Sequence, residues 1–354
     1  MFEYLVIVKP LGFLYASAGA FLSAENLVGK SGAKFPPDAS VLSGLILRNY
    51  QENTSATKEE ITQLKQNLTV AGAFWAKDDD LVSDQNFYVP MPRSRTIDEN
   101  DCAEWKIVNG KWDRDEKELK ADYSWQKINY WSDSIKLIQK DGVAKNPWKF
   151  SPILHPSLQN EQRHVLQEDG LFLENAVQMD EDSCLVYLST HKLDDGWYRF
   201  GGENHMVEIS SQKLKSEILD LLNAPIEKSF ALICPAVWGT NNLSERYPSA
   251  FKASHKPPQM LTDRPVPFRY RLGKGDGKSS SVLGVGRYAV PAGTVYVLKH
   301  PLPEEHNTWW KFPNEWFPQS SRQKLPEGRN TLLKQLGCGL CLPIEIKNEQ
   351  KGVD

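Results

Sequence analysis

The chain has 354 residues, 40% of them hydrophobic and 25% charged, with a formal net charge of -3. This is ordinary globular composition, long enough for two domains or for one with large insertions, and a near-neutral total leaves room for a basic face. The five cysteines, Cys102, Cys184, Cys234, Cys338 and Cys341, are odd in number and scattered, which excludes a disulfide-stapled secreted domain and points to a reducing cytoplasm.

The N-terminal stretch LVIVKPLGFLYASAGAFLSA imitates a signal peptide, but Glu3 stands where a basic leader belongs and Lys9-Pro10 interrupts the apolar run. It reads as mature protein. No uncharged run approaches the roughly 20 residues of a membrane helix.

Residues 3–8 (EYLVIV) predict a buried strand. A Gly-rich loop containing Lys30 and Lys34 follows, and FPPDASVLSGLILRNY then starts a helix with Asp38 at its cap and Val41, Leu42, Leu45 and Ile46 on one face. Thr57 with Glu60 three residues on forms a capping box for a second helix carrying Ile61, Leu64 and Leu68. From about 77 to 122 there are 13 Asp/Glu against 8 Lys/Arg and little periodicity. This is the character of an insertion. Six of the eleven tryptophans (Trp75, Trp105, Trp112, Trp125, Trp131 and Trp148) lie in or beside it, too much aromatic surface for a disordered tail. It packs on its own domain or presents a surface to a partner protein.

Pattern returns at CLVYLSTH (184–191), a strand. The stretch YRFGGENHMVEI then raises the question of catalysis, because it sets Glu203 and His205 beside Gly201 and Gly202. Strand alternation puts Glu203 and His205 on one face with no third group to orient them, so a Gly-kinked hairpin is the preferred reading. SSQKLKSEILDLLNAP predicts a helix with Leu214, Ile218, Leu221 and Leu222 inward, and SFALICPAV (229–237) a strand. The order β-α-(insertion)-β-β-α-β is that of the split βαβ, or ferredoxin-like, arrangement, shared by RNA-recognition sheets.

Residues 238–281 are rich in Pro, Gly and basic residues. Between Lys252 and Lys278 there are seven Lys/Arg and two Asp, a net of +5. The cations Lys252, Lys256, Arg264, Arg269, Arg271 and Lys274 alternate with Phe251, Phe268 and Tyr270. Cations neutralise phosphates and aromatic faces stack bases at about 1 to 3 kcal/mol each, so the mixture suits a single-stranded nucleic acid. A merely solvated loop is the competing reading. Gly284, Gly286 and Arg287 in LGVGRY add a turn that phosphate could approach closely. The GxxxxGK[ST] and strand-to-helix GxGxxG fingerprints are missing, which argues against a nucleotide-hydrolysing or dinucleotide enzyme. Strands flank a Pro-Ala-Gly turn at 291–293, a short capped helix is expected near 328–336, and LCLPIEIK closes the chain as a strand. Cys338 and Cys341 form a single CxxC, with His300 and His306 at no standard finger spacing, so two buried thiols are favoured over a metal site.

Three stretches, FPPDASVLSGLIL, YRFGGENHMVEI and VGRYAVPAGTVYVL, together resemble the RAMP superfamily of CRISPR effector subunits, most closely the third subunit of the type III-B (Cmr) complex. The resemblance implies an α+β fold of two ferredoxin-like halves, with 1–237 carrying an insertion at about 52–180 and 238–354 carrying the basic loop. It further implies a non-catalytic cytoplasmic protein, without cofactor or metal, that binds the 5′ tag of the guide RNA between a large polymerase-type subunit and the backbone subunits in antiviral defence. Relatives on this fold that cleave repeat RNA supply the alternative, a metal-independent endoribonuclease using His191 and His205. The family's Arg-rich stretch after the first strand is replaced here by LYASAGAFLSAEN, which moves the expected phosphate contacts to Lys30, Lys34 and the later basic loop.

Overall fold

The structure, a computed structural model, describes residues 1–14, 35–53, 56–156, 164–165, 171–201, 205–240, 242–252, 257–272, 282–318 and 331–349. The aliphatic run Tyr4–Pro10 sits inside an eight-stranded sheet. It pairs antiparallel with Ser183–Ser189 on one side and His205–Lys213 on the other. Gly196–Phe200 forms the edge beyond His205–Lys213, and Val70–Lys77, Tyr88–Pro90, Trp125–Lys127 and Val143–Ala144 extend the sheet beyond Ser183–Ser189. Alternation gives the sheet two buried faces. Val6 and Val8 join Leu42 and Ile46 of the helix Ala39–Asn53 in one core, while Leu5 and Ile7 join a second core shared with the C-terminal half.

The helix Lys58–Asn67 begins with the expected capping box: the Glu60 amide donates to Thr57 Oγ1 at 3.2 Å and the Thr57 amide to Glu60 Oε2 at 2.7 Å. Thr57→Ala is expected to lower the unfolding free energy by about 1 kcal/mol in urea titrations, since the Glu60 amide in the first turn loses its acceptor.

The C-terminal half holds a four-stranded antiparallel sheet in the order Gln259–Leu261, Val295–Val297, Ser229–Leu232, Cys341–Pro343. The strand expected to close the first half is therefore central to the second. Phe230, Ala231 and Leu232 are buried on both faces, and a continuous apolar run carries no alternation from which its sheet could be read. The helix Ser216–Leu222 makes the crossing between halves, with Leu214, Ile218 and Leu222 inward. Ser210–Lys213, assigned above to that helix, instead continues the strand paired to Tyr4–Ile7.

The stretch from 52 to 180 is likewise not all insertion, because Val70–Lys77 and Tyr88–Pro90 belong to the main sheet. Ala71, Gly72 and Ala73 conceal this strand, being poor β formers. Packing explains them: Gly72 has φ +128, and a Cβ there would meet Tyr187 Cδ1 at 3.1 Å and the Val186 carbonyl at 3.2 Å, where the register of the pairing shifts. The six tryptophans of this region are buried or half-buried. Trp131 donates its indole N–H to the Pro343 carbonyl at 2.7 Å, bridging to the second sheet. Arg95 lies beneath the same ring, donating to Gln126 Oε1 at 2.7 Å and to the Trp131 carbonyl at 2.9 Å, and burial pushes its guanidinium down to about 10. The strand Lys106–Val108 pairs in parallel with Asn348–Glu349. Trp75, Trp125, Trp131 and Trp148 thus serve the protein's own packing, with Trp105 and Trp112 half-buried.

Candidate nucleic-acid interface

The two halves meet around a cleft of about 630 Å³. The first half contributes Phe35, Pro36, Asp38, Gly72, Ala73, Pro90 and Trp125. The second contributes Ile233, Pro235, the segment from Val266 to Arg269, Gly286, Arg287 and Ala292. The FPPD segment thus meets the basic loop and the Gly-rich turn, which lie far from it in sequence.

The second wall is a small ribbon in which Val266–Phe268 pairs with Arg287–Ala289, Phe268 opposite Arg287 and Pro267 opposite Tyr288. Alternation turns Phe268 inward, where it is buried, and leaves Tyr288 63% exposed on the outer side. Arg269 donates Nε to the Gly284 carbonyl at 2.8 Å, and Arg287 donates Nη1 to the Thr240 carbonyl at 2.8 Å. Partial burial pushes the Arg287 guanidinium below its ordinary value. Among the described residues neither Arg264 nor Arg269 makes an ion pair, and Asp263, next to Arg264, pairs instead with Arg93 at 3.1 Å. Among the described residues no carboxylate therefore compensates these two cations.

The first wall is aromatic and held in place. Trp75 stacks on Tyr88 at 3.9 Å with planes 3° apart, Trp125 meets Trp75 edge-on at 6.4 Å and Trp148 at 5.8 Å, and Phe35 meets Trp148 at 5.0 Å. Trp125 also donates its indole N–H to Asn146 Oδ1 at 2.7 Å. A ladder of this kind fixes the two rings that reach the cleft.

Of the expected contact residues, Arg269, Gly286 and Arg287 line the cleft. Arg264 stands exposed just outside the ribbon. The backbone of Arg271 lies in a second ribbon, Arg271–Leu272 with Val282–Leu283, leading away from it. Gly284 serves packing: a Cβ there would sit 2.9 Å from the Tyr270 ring. Lys252 ends a short turn, Ser249–Lys252. Gly201, at φ +76, bends the predicted hairpin between Gly196–Phe200 and His205–Lys213 at the sheet edge. The nearer strand of that hairpin is three strand spacings from Val70–Lys77, about 14 Å, and Gly201 is not among the residues lining the cleft. Lys30, Lys34, Gly202, Lys256 and Lys274 lie outside the described residues. Phe35, Trp125 and Ala292 line the cleft but were not picked as contacts from the sequence, although Phe35 opens the Pro-Pro segment, Ala292 lies in the Pro-Ala-Gly turn and Trp125 is one of the six clustered tryptophans.

Cys338 and Cys341 are buried, and burial pushes the Cys341 thiol well up. Among the described residues no group of three or more His, Cys, Asp or Glu could hold a metal ion, and no helix is long and apolar enough to cross a membrane.

A model of the CRISPR-associated protein family Cas_Cmr3 matches residues 24–345. The chain belongs to the Cas_Cmr3 family. This is the family to which the three motifs pointed, and membership makes the protein a type III CRISPR–Cas complex subunit. No curated protein matches it. Among solved structures, a chain of the type III-B Cmr-beta complex bound to cognate target RNA and AMPPnP is similar at 14% identity, over 83% of this chain and 86% of that one, with a TM-score of 0.48. A chain of a Csm1-Csm4 cassette in complex with pppApA is similar at 15% identity, over 85% and 99%, with a TM-score of 0.37. A chain of a type III-A Csm3-Csm4 subcomplex is similar at 10%, over 84% and 93%, also with a TM-score of 0.37. The Cas_Cmr3 assignment stands on the family match and the motifs alone.

Proposed function

We propose that this Cas_Cmr3 protein is a non-catalytic subunit that holds the 5′ tag of the guide RNA in the cleft between two ferredoxin-like halves, joining the large polymerase-type subunit to the backbone. The observation that carries the reading is the meeting of Arg269 and Arg287 with an aromatic wall in one cleft, the combination by which single-stranded nucleic acid is gripped. The strand orders support the twin halves. Numbered along the chain, Tyr4–Pro10, Val70–Lys77, Ser183–Ser189 and His205–Lys213 lie in the order 4-1-3-2, and so do Ser229–Leu232, Gln259–Leu261, Val295–Val297 and Cys341–Pro343. The edge strand Gly196–Phe200 stands where the first half's second crossover helix would be. All five cysteines are free thiols, in keeping with a reducing cytoplasm.

The endonuclease alternative is disfavoured by geometry. His191 follows the end of Ser183–Ser189 that pairs with Tyr4, whereas His205 starts the strand whose Val207 pairs with Pro10. Six residue steps of extended chain, about 20 Å, separate those ends, too far for a shared acid–base step.

Filter binding of tagged and untagged guide RNA, with the large subunit present, tests the proposal. Tagged RNA is expected to bind more tightly, with log affinity falling linearly in log salt. The double change Arg269→Ala and Arg287→Ala is expected to weaken binding about tenfold and to flatten that slope by about 1.4, the yield of two lost phosphate contacts on a single strand. Equal binding of tagged and untagged RNA would overturn the reading.

A further inference from the structure

We infer that the cleft takes one unpaired base of the bound RNA, its ring against Phe35 and Trp125 and its phosphates on Arg269 and Arg287. The inference rests on the RNA-binding proposal and goes further, because it makes binding depend on a base and not on charge alone. A site that served phosphates only would be lined by donors. Here the walls are chiefly apolar, with Pro36, Pro90, Val266 and Pro267 around the two aromatic rings. Its volume of about 630 Å³ falls within the roughly 300–1,000 Å³ typical of small-molecule pockets.

Preorganisation strengthens the case. Trp125 is held by Trp75, Trp148 and Asn146, and Phe35 by Trp148, so a stacked base would immobilise little that is mobile. Arg269 is anchored through Nε to the Gly284 carbonyl, and its terminal nitrogens make no hydrogen bond among the described residues. Gly286 leaves room on the second wall: the nearest atom to an added Cβ is Arg269 Cδ, at 3.9 Å. An apolar wall facing fixed cations complements a flat ring joined to an anion, which favours a nucleotide over an apolar peptide of a partner subunit.

Fluorescence anisotropy with tagged RNAs, each carrying one abasic position, reads this directly on the full chain with the large subunit present. Wild type is expected to lose about tenfold in affinity at one abasic position and little at the others. Ala292→Phe, which fills the cleft without touching a charge, is expected to bind intact RNA about tenfold more weakly, to ignore that abasic position and to keep the wild-type salt slope. Phe35→Leu removes a ring by a milder change, should show the same loss, and stands in if Ala292→Phe does not fold by thermal melting. A flat abasic profile in a wild type that still binds RNA overturns this inference and leaves the RNA reading standing, while a wild type that binds no RNA sinks both. Ala292→Phe with undiminished RNA affinity but weakened association with the large subunit would assign the cleft to a protein segment and overturn the inference.

Discussion

Gly337→Ala lowers the unfolding free energy by about 3–5 kcal/mol, read as a fall in the urea midpoint at constant slope. Gly337 follows the helix Leu332–Gln335 at φ +71, a left-handed conformation that an L side chain adopts at a cost. A Cβ there would lie 2.6 Å from both Cα and Cβ of Ala71 and 2.9 Å from the Val70 carbonyl. These atoms belong to a central strand, in which Val70 and Ala71 are fully buried, so no side chain can swing away to relieve the contact. Gly44 supplies the opposite sign. It is exposed in the helix Ala39–Asn53 with nothing within 4 Å of an added Cβ, so Gly44→Ala should raise stability by about 0.5–1 kcal/mol. Equal effects at the two glycines would show that Gly337 is not held tightly against Val70 and Ala71.

The second large effect is pH-dependent. Lys334 is buried, with Nζ donating to the carbonyls of Trp310 at 2.8 Å and Phe312 at 2.7 Å and lying 5.8 Å from the Trp309 ring centre. Among the described residues no carboxylate faces it, and burial pushes its pKa down to about 8 from 10.5. The folded pKa lies below the unfolded one, so the unfolded chain binds more protons between these values and stability rises with pH across that window. Lys334's contribution is greatest above pH 10.5 and is lost as pH falls through 8, a span of about 3 kcal/mol. Cys184 and Cys234, pushed up to about 12 by burial, act in the other direction above pH 9, so the wild-type curve alone mixes the effects. The stability difference between wild type and Lys334→Met isolates the lysine. It should move in favour of wild type by about 3 kcal/mol between pH 8 and pH 10.5 in urea titrations, and a difference independent of pH would refute the assignment.

How much of this was readable beforehand varied with how local the cause is. The capping box at Thr57, the apolar stripe of the first helix and the Gly201 hairpin came through intact, since each depends on residues within one or two turns. Val70–Lys77 did not, because Ala71 and Gly72 answer to Gly337 and Tyr187, residues more than a hundred positions away. Ser229–Leu232 was recognised as a strand but placed in the wrong sheet. For the cleft, Arg269, Gly286 and Arg287 were chosen for their chemistry, yet the charge pattern held nothing of the aromatic wall opposite them.

The sequence by itself determined the family, through three motifs whose order spans the chain, along with the local elements and the residue types able to grip a phosphate. Only the tertiary structure decided which of those residues share a surface. It put Gly201 on a remote sheet edge, buried Gly284 under Tyr270 and set Arg269 across from Trp125. The physical reason is that capping and alternation act between neighbours in the chain, whereas a cleft between two sheets is made by contacts whose partners lie far apart along it.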